Sequence, residues 1–351
     1  MTESNNNQMA STEVPERTVA KTTSERCSTS EMTLWQWASV PGEKFSDLAN
    51  RALTEKWYYG DETEENKKKL PILRNYLNYT FRRLVVEDKV VYGSRGDKEY
   101  AAFNTGLVDK TYEDIYALFE KKHYKGWEQD WYLLDFVVAG EDLGKILVAV
   151  FNPLPKRADY FEGKIENMLY DVSTGECRLD GKHLIIENAD RFPKDFFEEN
   201  CPTGFLCVND INIDDVYDKD VNDQARKAYF NALGRKILDN SRVHTRLKNQ
   251  IENAAKLALK RVQWNYKTAI PIYYVKGQTC ALMLPLCLMQ DDRVDLALVV
   301  KRQESGNYQG ETVLMLKEAY MNSRLITRPD SDWLKTETIA ADSADELDDN
   351  D

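Results

Sequence analysis

Apolar side chains recur along this chain in two rhythms, and the places where one gives way to the other predict its architecture. The patterned body opens at Leu34-Trp35-Gln36-Trp37. Phe45, Leu48, Ala49, Ala52 and Leu53 then return at helical spacing, with Ser46 placed to cap, and predict a first helix over about 45–57. A charged loop from Asp61 to Lys69 leads to Pro71. Behind it Ile72, Leu73, Tyr76, Leu77, Thr80, Phe81 and Leu84 mark a second amphipathic helix, with the proline in its first turn.

The period shortens after Lys89. Val90 to Tyr92, Tyr100 to Phe103 and Trp131 to Val138 read as strands, whereas Ile115 to Phe119 is too short a run to assign to strand or helix. Residues 152–207 are rich in loop signals, with Asn152-Pro153-Leu154-Pro155 breaking regular structure and Pro193 ending a short helix over about 182–190. Two consecutive helices follow, over roughly 221–238 and 242–264. Strands at roughly 269–276, 280–288, 294–302 and 311–316 come next, with turns at Gly277-Gln278 and Gly306-Asn307, and a last helix over about 317–326.

Helices and strands thus come in runs. Runs predict an α+β fold with a mixed, mainly antiparallel sheet or sheets, and argue against a doubly wound parallel sheet. The expected organisation is one large domain over 34–335, with room for a lobe boundary near 152–164 or 209–220. Disordered tails are expected at 1–33 and 336–351, which lack hydrophobic periodicity. No internal repeat stands out.

Composition narrows the class. Of 351 residues 42% are apolar and 11% aromatic, enough for a core, which excludes global disorder. No apolar run reaches the roughly 18 residues of a membrane span. Residues 1–33, rich in Ser, Thr, Asn and Glu, resemble neither a secretory leader nor a transit peptide. Six scattered cysteines without a C-x-x-C pair read as buried thiols. A cytoplasmic protein without a membrane partner is expected.

Several chemistries fail on spacing. Gly140 to Lys145 has three residues between its glycines where a phosphate loop needs four, and Ile146 stands where Mg²⁺ needs a hydroxyl, so a turn is expected. His123, His183 and His244 are isolated, and Cys201 and Cys207 have no histidine beside them, so no metal site is predicted. The acids between Asp210 and Asp223 lack the alternation of a calcium loop. Asp220, Asn222 and Asp223 suit a helix N-terminus instead.

Charge supplies the strongest local signal. The chain carries a formal −12, and seven of its acids crowd from Glu337 to Asp351 without a single Lys or Arg. Between Asn240 and Gln290 the balance inverts, with eight Lys or Arg against Glu252. On a helix over 242–264, Val243, Leu247, Ile251, Ala254, Leu257, Ala258 and Val262 share one face. Arg242, Arg246, Asn249, Asn253, Lys256 and Lys260 fall on an adjacent arc of roughly 80°, with Trp264 at its edge. Guanidinium, amide and ammonium groups in a row suit phosphate oxygens, and Trp264, Tyr266, Tyr273 and Tyr274 could stack bases. A charged arc beside an apolar face is also what any solvated surface helix shows, and the acids of 209–223 could neutralise it.

Two further segments carry polar groups beside predicted elements. Asn104, Thr105 and Gly106 follow a strand, and Arg328, Asp330 and Asp332 follow the last helix. Each is explained by a turn. As a joint pocket they would offer backbone donors, a phosphate-binding cation and paired carboxylates.

The run Tyr100 to Leu107, Ile115 to Lys121, Phe151 to Pro155, Asp295 to Val299 and Gly310 through Arg328-Pro329-Asp330-Ser331-Asp332-Trp333-Leu334 resemble, in order, a family of bacterial proteins catalogued as a domain of unknown function. The resemblance spans about 35–334. It implies an association with RNA, because some members of that family are joined to OST-HTH (LOTUS) or cold-shock modules, though residues 1–33 are too short and polar to be either. It supplies no catalytic residues. The leading expectation is an RNA-associated binding protein working through the basic helix face. The alternatives are an enzyme acting on a nucleotide or RNA end through the 104–106 and 328–332 segments, and a protein–protein adaptor using the tails. No cofactor is specified.

Overall fold

The computed structural model describes residues 32–339 apart from 123–128, 162–164, 175–176, 218–220 and 276–277. Most of the expected tails, Gly277 of one expected turn, and Asp218 and Asp220 of the acidic stretch therefore lie outside the described residues. The fold is α+β, with two five-stranded, mostly antiparallel sheets. The chain divides into two compact units, one made of residues 1–44 and 81–157, the other of 45–80 and 158–351.

In the first unit β1 (Ala38–Ser39), β2 (Val91–Arg95), β3 (Lys98–Val108), β4 (Asp114–Lys121) and β5 (Trp131–Val138) lie in the order β1-β5-β4-β3-β2. Every pairing is antiparallel except β1 with β5. Strand alternation gives the sheet two apolar faces. On one, Tyr100, Ala102, Tyr116, Leu118 and Val137 pack under Leu147 and Phe151, at and just beyond the helix Gly144–Val150. On the other, Phe103 and Phe119 stack with centroids 5.6 Å apart, beside Trp37 and Phe81. The ambiguous run 115–119 is thus a strand, fixed by its pairing with β3 and β5. Gly144 explains the glycine spacing that hints at a phosphate loop. A Cβ there would lie 1.8 Å from the Val138 carbonyl oxygen, so the glycine serves a tight strand-to-helix turn.

In the second unit β6 (Arg178–Leu179), β7 (Ile270–Tyr274), β8 (Thr279–Leu286), β9 (Leu296–Arg302) and β10 (Tyr308–Leu314) lie in the order β6-β10-β9-β8-β7. Again only the short first strand runs parallel to its neighbour. The two sheets therefore share a topology: a two-residue strand, a helical stretch, a four-stranded meander whose last strand returns beside the first, and a closing helix. The shared plan resides in the order of pairing, where no repeat of residues marks it.

The helices of this unit fill the core. Asp223–Asp239 is capped by Asn222, which accepts from the Ala225 amide at 2.8 Å. Ser241–Trp264 buries Val243, Leu247, Ile251, Ala254, Ala255, Ala258 and Val262 in one cluster with Leu282, Leu284, Leu298 and Val300 of β8 and β9. Leu316–Ile326 packs on β7 and presents Arg324 inward. Arg324 Nε and Nη2 donate to the two oxygens of Glu55 at 2.6 and 2.8 Å. Its guanidinium also lies 4.9 Å from the Trp57 ring centroid and 4.6 Å from that of Tyr76. Burial pushes the Arg324 pKa down, and the hydrogen bonds and charge of Glu55 more than reverse the effect.

Some element bounds depart from expectation for local reasons. The first helix is Gly42–Arg51 rather than 45–57, because it starts directly behind Pro41 and places Ser46 in its interior. The charged loop 61–69 contains a helix, Glu64–Lys69, in which Thr63 accepts from the Asn66 amide at 3.2 Å. Acids fill its first turn and lysines its last, as the helix dipole favours. The helix over 182–190 is split into Gly181–Ile186 and a 3-10 turn, Ala189–Arg191. The described chain also runs past 335, and Thr336 and Ile339, within the segment expected as a tail, are buried.

Breaking the Glu55–Arg324 pair leaves a guanidinium buried without its counter-charge. Glu55→Ala should lower the unfolding free energy by about 3–5 kcal/mol, read as a shift in the urea midpoint.

Candidate nucleic-acid interface

The long helix Ser241–Trp264 begins at Asn240, whose side chain accepts from the Val243 amide at 3.1 Å. Its apolar stripe is fixed against β8 and β9, which leaves the opposite arc no choice but solvent. Arg242, Arg246, Asn249, Asn253, Lys256 and Lys260 are all exposed, and Trp264 retains 93% of its accessible surface. At 1.5 Å per residue the row extends about 27 Å from Arg242 to Lys260. It is built as a pair of arginines one turn apart, two amides, and a pair of lysines one turn apart.

The cations of 240–290 sort into those with partners and those without. Lys248 pairs with Glu252 at 3.5 Å on its own helix. Arg261 donates to the Cys287 sulfur at 3.1 Å and to the Asp291 carbonyl. Lys267 meets Asp330 at 2.5 Å, a contact that raises the lysine pKa and holds the carboxyl below its ordinary value. Arg242, Arg246, Lys256 and Lys260 form no hydrogen bond or ion pair with the described residues. Of the acids that could neutralise them, Asp214 pairs with Lys194, and Asp215 accepts from the Asn212 amide at 3.0 Å. Beneath the row, burial pushes the Cys201 thiol up to about 11, with Arg246 and Lys236 pulling the other way.

Aromatic groups extend the row at its C-terminal end. Beyond Trp264 the chain makes a 3-10 turn, Tyr266–Thr268, in which Tyr266 is 62% exposed. Tyr273, by contrast, is buried at 4%, and its ring packs 5.0 Å from that of Tyr160, so it offers no stacking face. The segment 328–333 closes against this turn, as Trp333 Nε1 donates to the Thr268 carbonyl at 2.9 Å.

The two segments expected to form a pocket belong to different units, and each is accounted for within its own. Asn104, Thr105 and Gly106 do not follow β3 but lie inside it, at a bulge where the register with β4 shifts. Gly106 takes the positive φ of 75° that the bulge requires. Asn104 is 1% exposed; its Nδ2 donates to Asp114 Oδ2 at 3.0 Å and its Oδ1 accepts from the Gly106 amide at 2.9 Å. Thr105 is wholly buried, donating to the Ile115 carbonyl at 2.7 Å and accepting from the Leu107 amide at 3.1 Å. These bonds use the side chains to hold the strand, leaving nothing to aim at a ligand. Arg328 is exposed, and Asp330 and Asp332 are each paired with a lysine, Asp332 with Lys335 at 3.1 Å, so the carboxylates do not converge. Among the described residues no three His, Cys, Asp or Glu side chains come together in a way that could hold a metal. None of the described helices is long and apolar enough to cross a membrane.

The model of a family described as a domain of unknown function, DUF3825, matches residues 48–333. No curated protein and no solved structure matches the chain.

Two stability outcomes separate the exposed row from the bulge. Replacing Arg242, Arg246, Lys256 or Lys260 singly by Ala should alter the unfolding free energy by no more than about 0.5 kcal/mol. Thr105→Val, which strips two hydrogen bonds from a buried site, should cost about 1–3 kcal/mol. Paired urea titrations read both.

Proposed function

We propose that this protein, which belongs to the DUF3825 family, binds RNA along the exposed row of its long helix. The observation that carries the reading is the set of four cations, Arg242, Arg246, Lys256 and Lys260, that face solvent without an acidic partner among the described residues, in a chain of net charge −12. In a protein so acidic, a strip of uncompensated positive charge attracts a polyanion locally while the rest of the surface repels it. Arginines can grip phosphate oxygens in bidentate fashion, lysines act as point charges, and Asn249 and Asn253 can add neutral hydrogen bonds between them.

Trp264 favours a nucleic acid over other polyanions. An indole 93% exposed at the end of a cationic row is a stacking platform for a base. Bases are reachable for stacking where the strand is single, which is how most RNA is recognised. The resemblance to proteins joined to OST-HTH or cold-shock modules points the same way. A cytoplasmic setting fits, since the five described cysteines form no disulfide with one another.

Each phosphate contact releases condensed counterions, so affinity for a single-stranded RNA should fall steeply between about 50 and 200 mM salt. With Arg242, Arg246, Lys256 and Lys260 all changed to Ala, the slope of log affinity against log salt should become shallower by about 3. Trp264→Ala should cost about 1–3 kcal/mol of binding. Fluorescence anisotropy measures both, and equal affinity and slope for the wild-type and fourfold variant would overturn the reading.

A further inference from the structure

A second cationic feature lies on another face of the second unit, around an open cleft of about 550 Å³. Its lining brings together Arg178 and Leu179 of β6, Asp180, Gly181 and Lys182 at the start of the next helix, His244 and Lys248 of the long helix, and Gln309 of β10. His244 and Lys248 lie roughly 120–160° round the helix from Arg242. The cleft is therefore not a continuation of the exposed row.

Three features make this cleft suited to an anion. Arg178 and Lys182 are exposed and form no ion pair with the described residues. The lone acid of the lining, Asp180, has one oxygen occupied by the Lys182 and His183 amides, at 3.0 and 3.1 Å, which spread its charge into the backbone. Lys248 is directed here by the glycine beside it: a Cβ on Gly181 would come within 2.8 Å of Lys248 Cγ, so the bare backbone leaves space for the lysine stem.

We propose that this cleft is a binding site for a phosphate monoester, with Arg178 and Lys182 gripping the phosphoryl oxygens and Lys248 and Gln309 completing the contacts. Arg178 and Lys182, together with Lys248, whose ammonium also meets Glu252 at 3.5 Å, outweigh the amide-engaged Asp180 and suit a compact phosphoryl group. A phosphoryl group carries three terminal oxygens on one centre and can meet Arg178, Lys182 and Lys248 together, which the two oxygens of a carboxylate cannot. The inference does not rest on RNA binding by the long helix, because it draws on different side chains.

Calorimetric titration of the full-length protein at low salt tests it with three probes: a 5′-mononucleotide, its nucleoside, and inorganic phosphate. The mononucleotide and phosphate should bind and the nucleoside should not. Phosphate as tight as the mononucleotide assigns recognition to the phosphoryl group alone, whereas a tighter mononucleotide adds contacts from its sugar and base. Arg178→Ala with Lys182→Ala should weaken both phosphorylated probes about tenfold or more. Lys248→Met, which keeps the stem over Gly181, should weaken them severalfold, and the fourfold row variant should bind like the wild type. The proposal is overturned if neither phosphorylated probe binds by about 10 mM, if the nucleoside binds as well as the nucleotide, or if the Arg178 and Lys182 changes leave affinity unaltered.

Discussion

The burial of one stripe of the helix Ser241–Trp264 against β8 and β9 is the constraint on which the functional surface depends. Seven side chains from Val243 to Val262 enter the core of the second unit, and the larger ones, Val243, Leu247, Ile251 and Val262, each contribute about 1.5–3 kcal/mol on leaving water. A helix held so firmly cannot rotate to hide its other side. The cationic row is thus exposed as a mechanical consequence of core packing, and its residues need no partners to be kept in place.

The remainder of the second unit is consistent with that division of labour. Acids near the helix are spent on local tasks: Glu252 on Lys248, Asp330 on Lys267, Asp214 on Lys194, Asp215 on a helix start. Arg324 shows the opposite strategy for a cation. It is buried, held by both oxygens of Glu55 and covered by two aromatic rings, so its charge serves the fold and is unavailable to a ligand. Position relative to the core, more than residue type, decides which arginine can meet a phosphate.

The two sheets show how much organisation can be carried by pairing alone. Each is a four-stranded meander closed by a short parallel strand, yet their apolar faces are filled by different means. The first relies on aromatic rings such as Trp37, Phe103 and Phe119, the second on a leucine-rich sheet under long helices. Such a shared plan leaves no trace as a repeat of residues, because many side-chain sets satisfy the same ladder of backbone bonds.

Local periodicity made much of this legible in advance. The α+β class, the two late helices, the four late strands and the apolar and cationic arcs of the long helix all follow from spacing, since helical geometry converts sequence distance directly into angle. Short capped helices such as Glu64–Lys69 escaped because six residues carry too little apolar period, although Thr63 and the ordering of acids before lysines marked them. What the tertiary structure alone decided were the long-range pairings: which cations stay unpartnered, that Asn104 and Thr105 serve a bulge in β3, and that Arg178, Lys182, Lys248 and Gln309 share a cleft. Those residues are separated by up to 131 positions. Only the closing of the β6–β10 ladder and the docking of the long helix bring them together, and neither event is written in the neighbours of any one of them.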